Sequence, residues 1–423
     1  MPLDTLPTLT EAQQAALARI EDNLEHVFIT GRAGTGKSTL LRTLLATTDR
    51  KVVVAAPTGV AALNVGGQTL HSLFRFPLGV IGTEDHWLSD EVKEVLRTLD
   101  VLVIDEVSMV NADMMDAIDR TLRRARRSAL PFGGAQLVLF GDPFQLSPVP
   151  PSSPGELAYF QDHYRSIWFF DALVWREADL ARVELTEVHR QTDDEFRRLL
   201  NAVRYGRVDI DQATRLNEMG ARPVPADRPI TLAARNATVD RINAERLAAL
   251  PGKGLTARAE VNGDFGRAFP ADETLTLKPG ASVMFLRNDP DQRWVNGTIG
   301  VVSKITDTVY VEVDGVRHEV QPTTWEKHKY SYDPIEKRLE REPVGEFTQF
   351  PLRLAWAVTI HKSQGQTFDA AVVDLGAGAF SPGQTYVALS RLTTLEGLYL
   401  TRPLQPRDVI VDPHVVRFMR GDL

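Results

Sequence analysis

Short apolar runs recur along the first third of the chain: VFIT (27–30), KVVVAA (51–56), VLVID (101–105) and QLVLFGD (136–142). Polar or turn residues bound each run, and stretches of helical periodicity separate them. Buried parallel strands joined by crossover helices read this way, because a strand covered on both faces needs no polar alternation. The proline-rich PVPPSSPG (148–155) is expected to close this layer. Beyond Glu184 a second α/β pattern begins, with PITLAARN (229–236) as strand and loop and a helix through Asn243 and Leu247. From Leu275 the period changes to two, and Asp314-Gly315 marks a hairpin turn, which predicts a small antiparallel barrel. The charged stretch 326–346 is either its last hairpin or a connector. Helix–strand alternation resumes with AWAVTIHKS, AAVVDL and GLYLTRPL. The pattern therefore predicts two α/β domains, 1–184 and 185–274 with 347–423, the second interrupted by a β insertion at 275–346.

Composition narrows the class. With 423 residues the chain is too long for one ordinary core, which agrees with two domains. Its 43% apolar and 25% charged residues argue against disordered and fibrous folds. No apolar run approaches the roughly 20 residues of a membrane span. The opening MPLDTLPTLTEAQQ lacks the basic and apolar regions of a signal peptide, so a cytoplasmic location is expected. The absence of cysteine removes disulfides, thiolate metal sites and cysteine nucleophiles together, and the nine histidines show no metal-ligand spacing. A net charge of −8 argues against broad electrostatic coating of duplex DNA. It leaves room for a narrow groove gripping a strand through amides, hydroxyls and a few cations.

The motifs supply the chemistry. GRAGTGKST (31–39) follows an apolar strand and opens a helix, the full context of a phosphate-binding P-loop. Amides of Gly34, Thr35, Gly36 and Thr39 would face phosphate oxygens, Lys37 would reach the β/γ-phosphates of ATP, and Ser38 would ligate Mg2+. Asp105 and Glu106 end the strand VLVID; Asp105 would complete the magnesium shell while Glu106 orients and deprotonates the attacking water. A third strand end offers Asp142 and Gln145, the latter placed to sense the γ-phosphate. Arg190 and Arg391 are cations able to neutralise charge on the γ-phosphoryl group, although each read singly is more often a salt-bridging surface arginine. Two stretches, each after an apolar strand, carry small and uncharged donors. PTGVAALNVGGQTLHSLF (57–74) offers Thr58, Gly59, Asn64, Gln68, His71 and Ser72, with Phe74 available to stack on a base. TIHKSQGQTFD (359–369) offers Thr359, His361, Lys362 and Ser363 to a phosphodiester backbone, and its Gln364-Gly365 turn would face nucleotide. Such surfaces suit single-stranded DNA.

Taken in order, LTEAQQAAL, GRAGTGKST, APTGVAALNVGGQTLHSLF, VIDEVSM, GDPFQLSPV, VHRQTDDEF, VNGTIG, AVTIHKSQGQTFD and YVALSRLTTLEGLYL resemble the petite-integration-frequency (Pif-type) DNA helicases, superfamily-one group-B enzymes related to RecD-like proteins. The resemblance spans residues 9–400. It implies two RecA-like P-loop domains with parallel sheets and ATP between them, the second carrying an SH3-like β-barrel insertion. It also implies a short wedge element near 76–87. The implied activity is an ATP-dependent 5′→3′ DNA helicase, a DNA-stimulated ATPase of replication, repair or recombination. Its partners would be single-stranded DNA and single-strand/duplex junctions, with no membrane. Such a protein would be cytoplasmic, nucleoid-associated and monomeric. By motif match Gln13 would read the adenine, Gln145 would couple nucleotide state to DNA, and Arg190 and Arg391 would be the γ-phosphate arginines. The chain departs from the family's common pattern at Pro143 and Ser147. The alternative reading is a nucleotide-dependent DNA-binding or scaffold subunit with weak motor activity; a transport-type P-loop ATPase would need an LSGGQ-like run, which the chain lacks.

Overall fold

All four apolar runs are strands in the computed structural model, which describes residues 8–422 except 23–24, 78, 84–85, 152, 192, 226–228, 267–268 and 334–337. By packing, the chain divides into two units, 1–189 with 327–344 and 413–423, and 190–326 with 345–412.

In the first unit, β1 (His26–Gly31), β2 (Val52–Ala56), β3 (Gln68–Thr69), β4 (Val101–Ile104), β5 (Gln136–Phe140) and β6 (Leu180–Leu185) form one sheet in the order β3-β2-β4-β5-β1-β6. Every neighbouring pair is parallel. All residues of β4 and β5 are buried, which is why these strands read as unbroken apolar runs. Ile29, Val54, Val103, Val138 and Phe140 share one core with Leu40, Leu41 and Leu44 of the helix Lys37–Thr47. Each such side chain contributes about 1.5–3 kcal/mol by leaving water. The proline-rich stretch does not close the layer. It leads into the helix Pro154–His163, where Ser153 Oγ accepts from the Glu156 N–H at 3.2 Å, and the sheet still gains β6 afterwards. As an edge strand β6 alternates, burying only Leu185, and so lacks an apolar run. The C-terminal helix Pro413–Arg420 also packs in this unit. Phe418 stacks on Phe170 with ring centroids 3.9 Å apart, and Arg182 donates to the carbonyls of Phe418 and Met419.

The second unit holds a four-stranded parallel sheet in the order Ala357–Thr359, β7 (Ile230–Ala233), Ala371–Asp374, Leu398–Leu400. Its period-two segment folds as a five-stranded antiparallel sheet: Val316–Val320, Val309–Val313, Ile299–Ile305, Ser282–Phe285 and Leu352–Leu354. Asp314 (φ 50°) and Gly315 (φ 77°) make the turn between the first two of these, the left-handed pair that a two-residue hairpin requires. Val283, Phe285, Val302, Val309, Val311 and Leu352 fill the core, with Leu275 and Leu277 packed in from a separate two-stranded sheet. The charged stretch belongs to two long strands, Thr323–Asp333 and Arg338–Gln349, in a three-stranded sheet with Glu260–Gly263. Among the described residues no helix is long and apolar enough to cross a membrane.

Candidate functional site

Adjacent strands β4, β5 and β1 bring Asp105, Asp142 and the P-loop to the same end of the sheet, the carboxyl end where open parallel sheets bind ligands. Gly34 (φ 81°) and Gly36 (φ 79°) take left-handed conformations, turning the loop so that the helix Lys37–Thr47 starts at its rim. A side chain at Gly36 would meet Gln13 Nε2 at 2.4 Å, and one at Gly31 would meet the Leu185 carbonyl at 2.5 Å. Lys37 Nζ donates to the carbonyls of Gly31 (2.7 Å) and Arg32 (3.0 Å), curling over the loop. Thr35 is buried and its hydroxyl donates to the Arg32 carbonyl at 3.0 Å, so it shapes the loop. Gln13 is buried behind the loop. Its amide donates to the Gly36 carbonyl at 3.2 Å and accepts from the Thr10 N–H at 2.9 Å. It thus braces the P-loop, with both ends of its amide engaged.

Burial pushes the Asp105 carboxyl up to about 6, against the opposing pull of the Glu106 N–H and the Lys37 charge. That N–H donates to Asp105 Oδ1 at 2.9 Å. Glu106 itself sits at φ 53°, a left-handed conformation that a non-glycine residue adopts at a cost, and such strain concentrates at working sites. Asp142 is fully buried and holds Gln145, whose amide donates to Asp142 Oδ2 at 3.4 Å. Ser38 and Asp105 offer only oxygen, the donor chemistry a hard divalent cation prefers. Among the described residues no group of three His, Cys, Asp or Glu side chains could hold a metal ion. Sequence reasoning missed His189. Its backbone N–H donates to the Gly34 carbonyl at 2.9 Å, a role that no side-chain type reveals.

The stretch 57–74 is a strand end, two short helices and a close backbone crossing. Thr58 caps the helix Gly59–Asn64 by accepting from the Ala61 N–H, and Thr69 caps Leu70–Phe74 by accepting from the Ser72 N–H. Thr58, Gly59, His71 and Ser72 are half-buried, Asn64 is exposed, and burial lowers the His71 pKa. Two expectations are corrected. Phe74 is fully buried and stacks on Phe76 at 5.3 Å, so no base can reach its ring. Leu70, Leu73 and Phe74 form the inward face of that helix, at the spacing that marks an apolar stripe. Gln68 is buried too, its amide donating to the His328 carbonyl at 2.9 Å, so it ties β3 to the long paired strands. The expected wedge segment 76–87 lies outside the described residues at 78 and 84–85. Asp113 on the helix Ala112–Arg126 accepts from the N–H groups of Ile81 (2.6 Å) and Gly82 (3.2 Å), fixing the described part, while Trp87 is exposed.

In the second unit His361 and Lys362 are exposed at the end of the strand Ala357–Thr359. Although both are exposed, the surrounding protein still desolvates them enough to lower both pKa values, and Arg353 lowers that of Lys362 further. Thr359 and Ser363 correct the sequence reading. Thr359 is buried and its hydroxyl accepts from the Lys362 N–H, while Ser363 is fully buried with its hydroxyl donating to the Ile360 carbonyl at 2.8 Å. They build the turn rather than line a surface. Gly365 (φ 81°) ends that turn in open space. Arg391 is likewise buried, donating to the carbonyls of Val387 (3.0 Å) and Gln366 (3.4 Å) and to Ser390 Oγ (3.0 Å), a clamp on the same turn. Arg190 is half-buried, donates to the Ser390 carbonyl at 3.0 Å, and has its pKa lowered by burial.

Comparison with known proteins adds the following. A model of the PIF1-like helicase family matches residues 8–214. The ATP-dependent DNA helicase Pif1 of Bdellovibrio bacteriovorus is 35% identical over 424 residues, covering 97% of this chain and 92% of that protein. Bacteroides sp Pif1 in complex with ADP-AlF4 superimposes with a TM-score of 0.90 at 38% identity, covering 98% of this chain and 97% of that one. Bacteroides Pif1 bound to ssDNA matches with a TM-score of 0.72 at the same identity and coverage. The chain spans 62–65% of the length of its fungal and vertebrate relatives.

Proposed function

Because the chain belongs to the PIF1-like helicase family, we propose that it is an ATP-dependent DNA helicase that translocates 5′→3′ on single-stranded DNA and unwinds duplex at junctions. The observation that carries this reading is the convergence of the P-loop, Asp105 with Glu106, and Asp142 with Gln145 at one end of three adjacent parallel strands. ATP phosphates would lie on the amides of residues 34–39 with Lys37 reaching across them. Mg2+, held by Ser38, Asp105 and phosphate oxygens, would supply positive charge where the γ-phosphoryl group departs. Glu106 orients the attacking water and takes its proton. Gln145, held by Asp142, reports nucleotide state to the neighbouring elements. Arg190 is the γ-phosphate arginine, and Arg391 keeps the turn 359–366 in shape.

The strand-contacting set is Thr58, Gly59, Asn64, His71 and Ser72 in one unit and His361 and Lys362 in the other. Backbone contacts of this kind grip without reading sequence, so alternation of two grips through the ATP cycle gives directed motion. The five-stranded antiparallel sheet is the SH3-like insertion, and the protein works as a cytoplasmic, nucleoid-associated monomer. The test compares ATPase activity with and without single-stranded DNA, then unwinding of duplexes bearing only a 5′ tail or only a 3′ tail. Stimulation and preference for the 5′ tail are expected. Preference for the 3′ tail overturns the polarity, and a lack of stimulation overturns the motor in favour of a scaffold subunit.

A further inference from the structure

We propose that Arg235 and Phe380 form a base-stacking contact for single-stranded DNA in the second unit, an inference that rests on the helicase reading above. Phe380 is 53% exposed, so much of its ring surface is open to a ligand. The Arg235 guanidinium lies over it, 5.2 Å from the ring centroid. Arg235 follows β7, Phe380 follows the strand Ala371–Asp374, and His361 and Lys362 follow Ala357–Thr359. These three strands are neighbours in one parallel sheet, so all four residues come from its carboxyl end.

The backbone that carries the ring is braced. Gln384, fully buried, accepts from the Phe380 N–H at 3.1 Å and reaches the Ala234 carbonyl with its amide at 3.5 Å, coupling the two loops that carry the pair. The Ala234 N–H donates to the Asp374 carbonyl at 2.9 Å. Arg402 holds the Gly376 carbonyl at 2.7 Å, and the Ala379 N–H donates to Asp408 at 3.4 Å. These bonds fix the backbone from which Phe380 projects, so the ring is presented from a held position. A guanidinium over a ring uses its own face, which keeps its in-plane N–H groups for phosphate oxygens. Every base has a π-face, so the contact is tolerant of sequence, as a translocating enzyme requires. A base would extend the stack while the adjoining phosphate meets Arg235.

The test is fluorescence anisotropy with labelled oligo(dT) and with a strand of equal length made of abasic sites, alongside ATPase activity without DNA. Phe380→Ala is expected to weaken oligo(dT) binding roughly tenfold, Phe380→Tyr to restore it, and the abasic strand to bind wild type and Phe380→Ala alike. Arg235→Ala should weaken both strands and flatten the salt dependence. DNA-free ATPase should match wild type in all three. A wild-type protein that binds oligo(dT) while Phe380→Ala binds it equally well overturns this proposal and leaves the helicase reading intact. Equal losses on oligo(dT) and abasic strands also overturn it, since the ring would then act through the fold or through a different partner. A wild type that binds no oligo(dT) overturns both.

Discussion

Lys37 Nζ donates to the Gly31 carbonyl at 2.7 Å, so the P-loop's own backbone holds the ammonium over the loop it serves. Removing that charge leaves the loop's amides but takes away the group proposed to span the β/γ-phosphates. Lys37→Ala is expected to lower kcat for ATP by at least about 100-fold, in line with the loss of one preorganised charged donor. Its affinity for single-stranded DNA should stay close to wild type, because none of the residues proposed to contact the strand is touched. A coupled ATPase assay and an anisotropy titration read the two effects separately. Persisting unwinding by this variant would overturn the P-loop assignment.

Glu106 provides a second cut through the same chemistry. Glu106→Gln preserves size at the strained backbone position but removes the proposed base. Nucleotide binding should survive, while single-turnover hydrolysis falls by roughly 10²–10⁴-fold. Near-normal turnover would reject Glu106 as the group that takes the proton.

The central strands were legible because parallel strands covered on both faces are apolar throughout, and the P-loop because its glycines and lysine have no other common use. What escaped detection has physical reasons. The edge strand β6 buries only Leu185, so its LARVEL pattern carries little signal. Phe74 and Ser363 were misread because residue type does not say which way a side chain points. For Phe74 the Leu70–Leu73–Phe74 spacing was the available clue. Arg391 satisfies backbone carbonyls rather than standing at a surface, and His189 acts through its N–H. Neither role is written in the identity of the residue. The Arg235–Phe380 pair joins loops over a hundred positions apart, and only the register of the parallel sheet reveals it.

Asp408 ties the loop that carries Phe380 to the following segment, and its stability contribution depends on pH. Burial alone would raise its pKa, but the two bonds from Arg402 (2.7 and 2.8 Å) and the N–H groups of Gln405 and Ala379 outweigh burial and hold it below the ordinary value. A carboxylate with a depressed folded pKa stabilises above its unfolded pKa of about 3.9, and that contribution is lost as pH falls through the lower folded value. Asp408→Asn should therefore lower the thermal midpoint clearly at pH 7. The gap to wild type should narrow once the pH drops below about 3.9, where wild type loses the same interaction. Thermal scans across pH check this, and a gap that is constant down to pH 3 would show that the charge does not matter.

Gly67 tests how the stretch proposed to contact the strand is held. A Cβ there would lie 2.4 Å from the Val54 carbonyl oxygen and 2.9 Å from its carbon, both backbone atoms of β2. Because β3 begins at the next residue and pairs Gln68 with Ala55, neither backbone can yield without loosening that ladder. Gly67→Ala is expected to destabilise the first unit by roughly 1–3 kcal/mol, the usual range for overpacking. Gly155→Ala is the control, since its Cβ would meet nothing within 4 Å and it lies in the helix Pro154–His163, where alanine is the better former. Thermal unfolding should show a drop for the first variant and none for the second. Displacing β3 also displaces Thr69, which caps the helix bearing His71 and Ser72, so single-strand affinity should fall together with stability. If Gly67→Ala keeps its midpoint, β3 is not pressed against β2, and the placement of His71 and Ser72 loses its structural support.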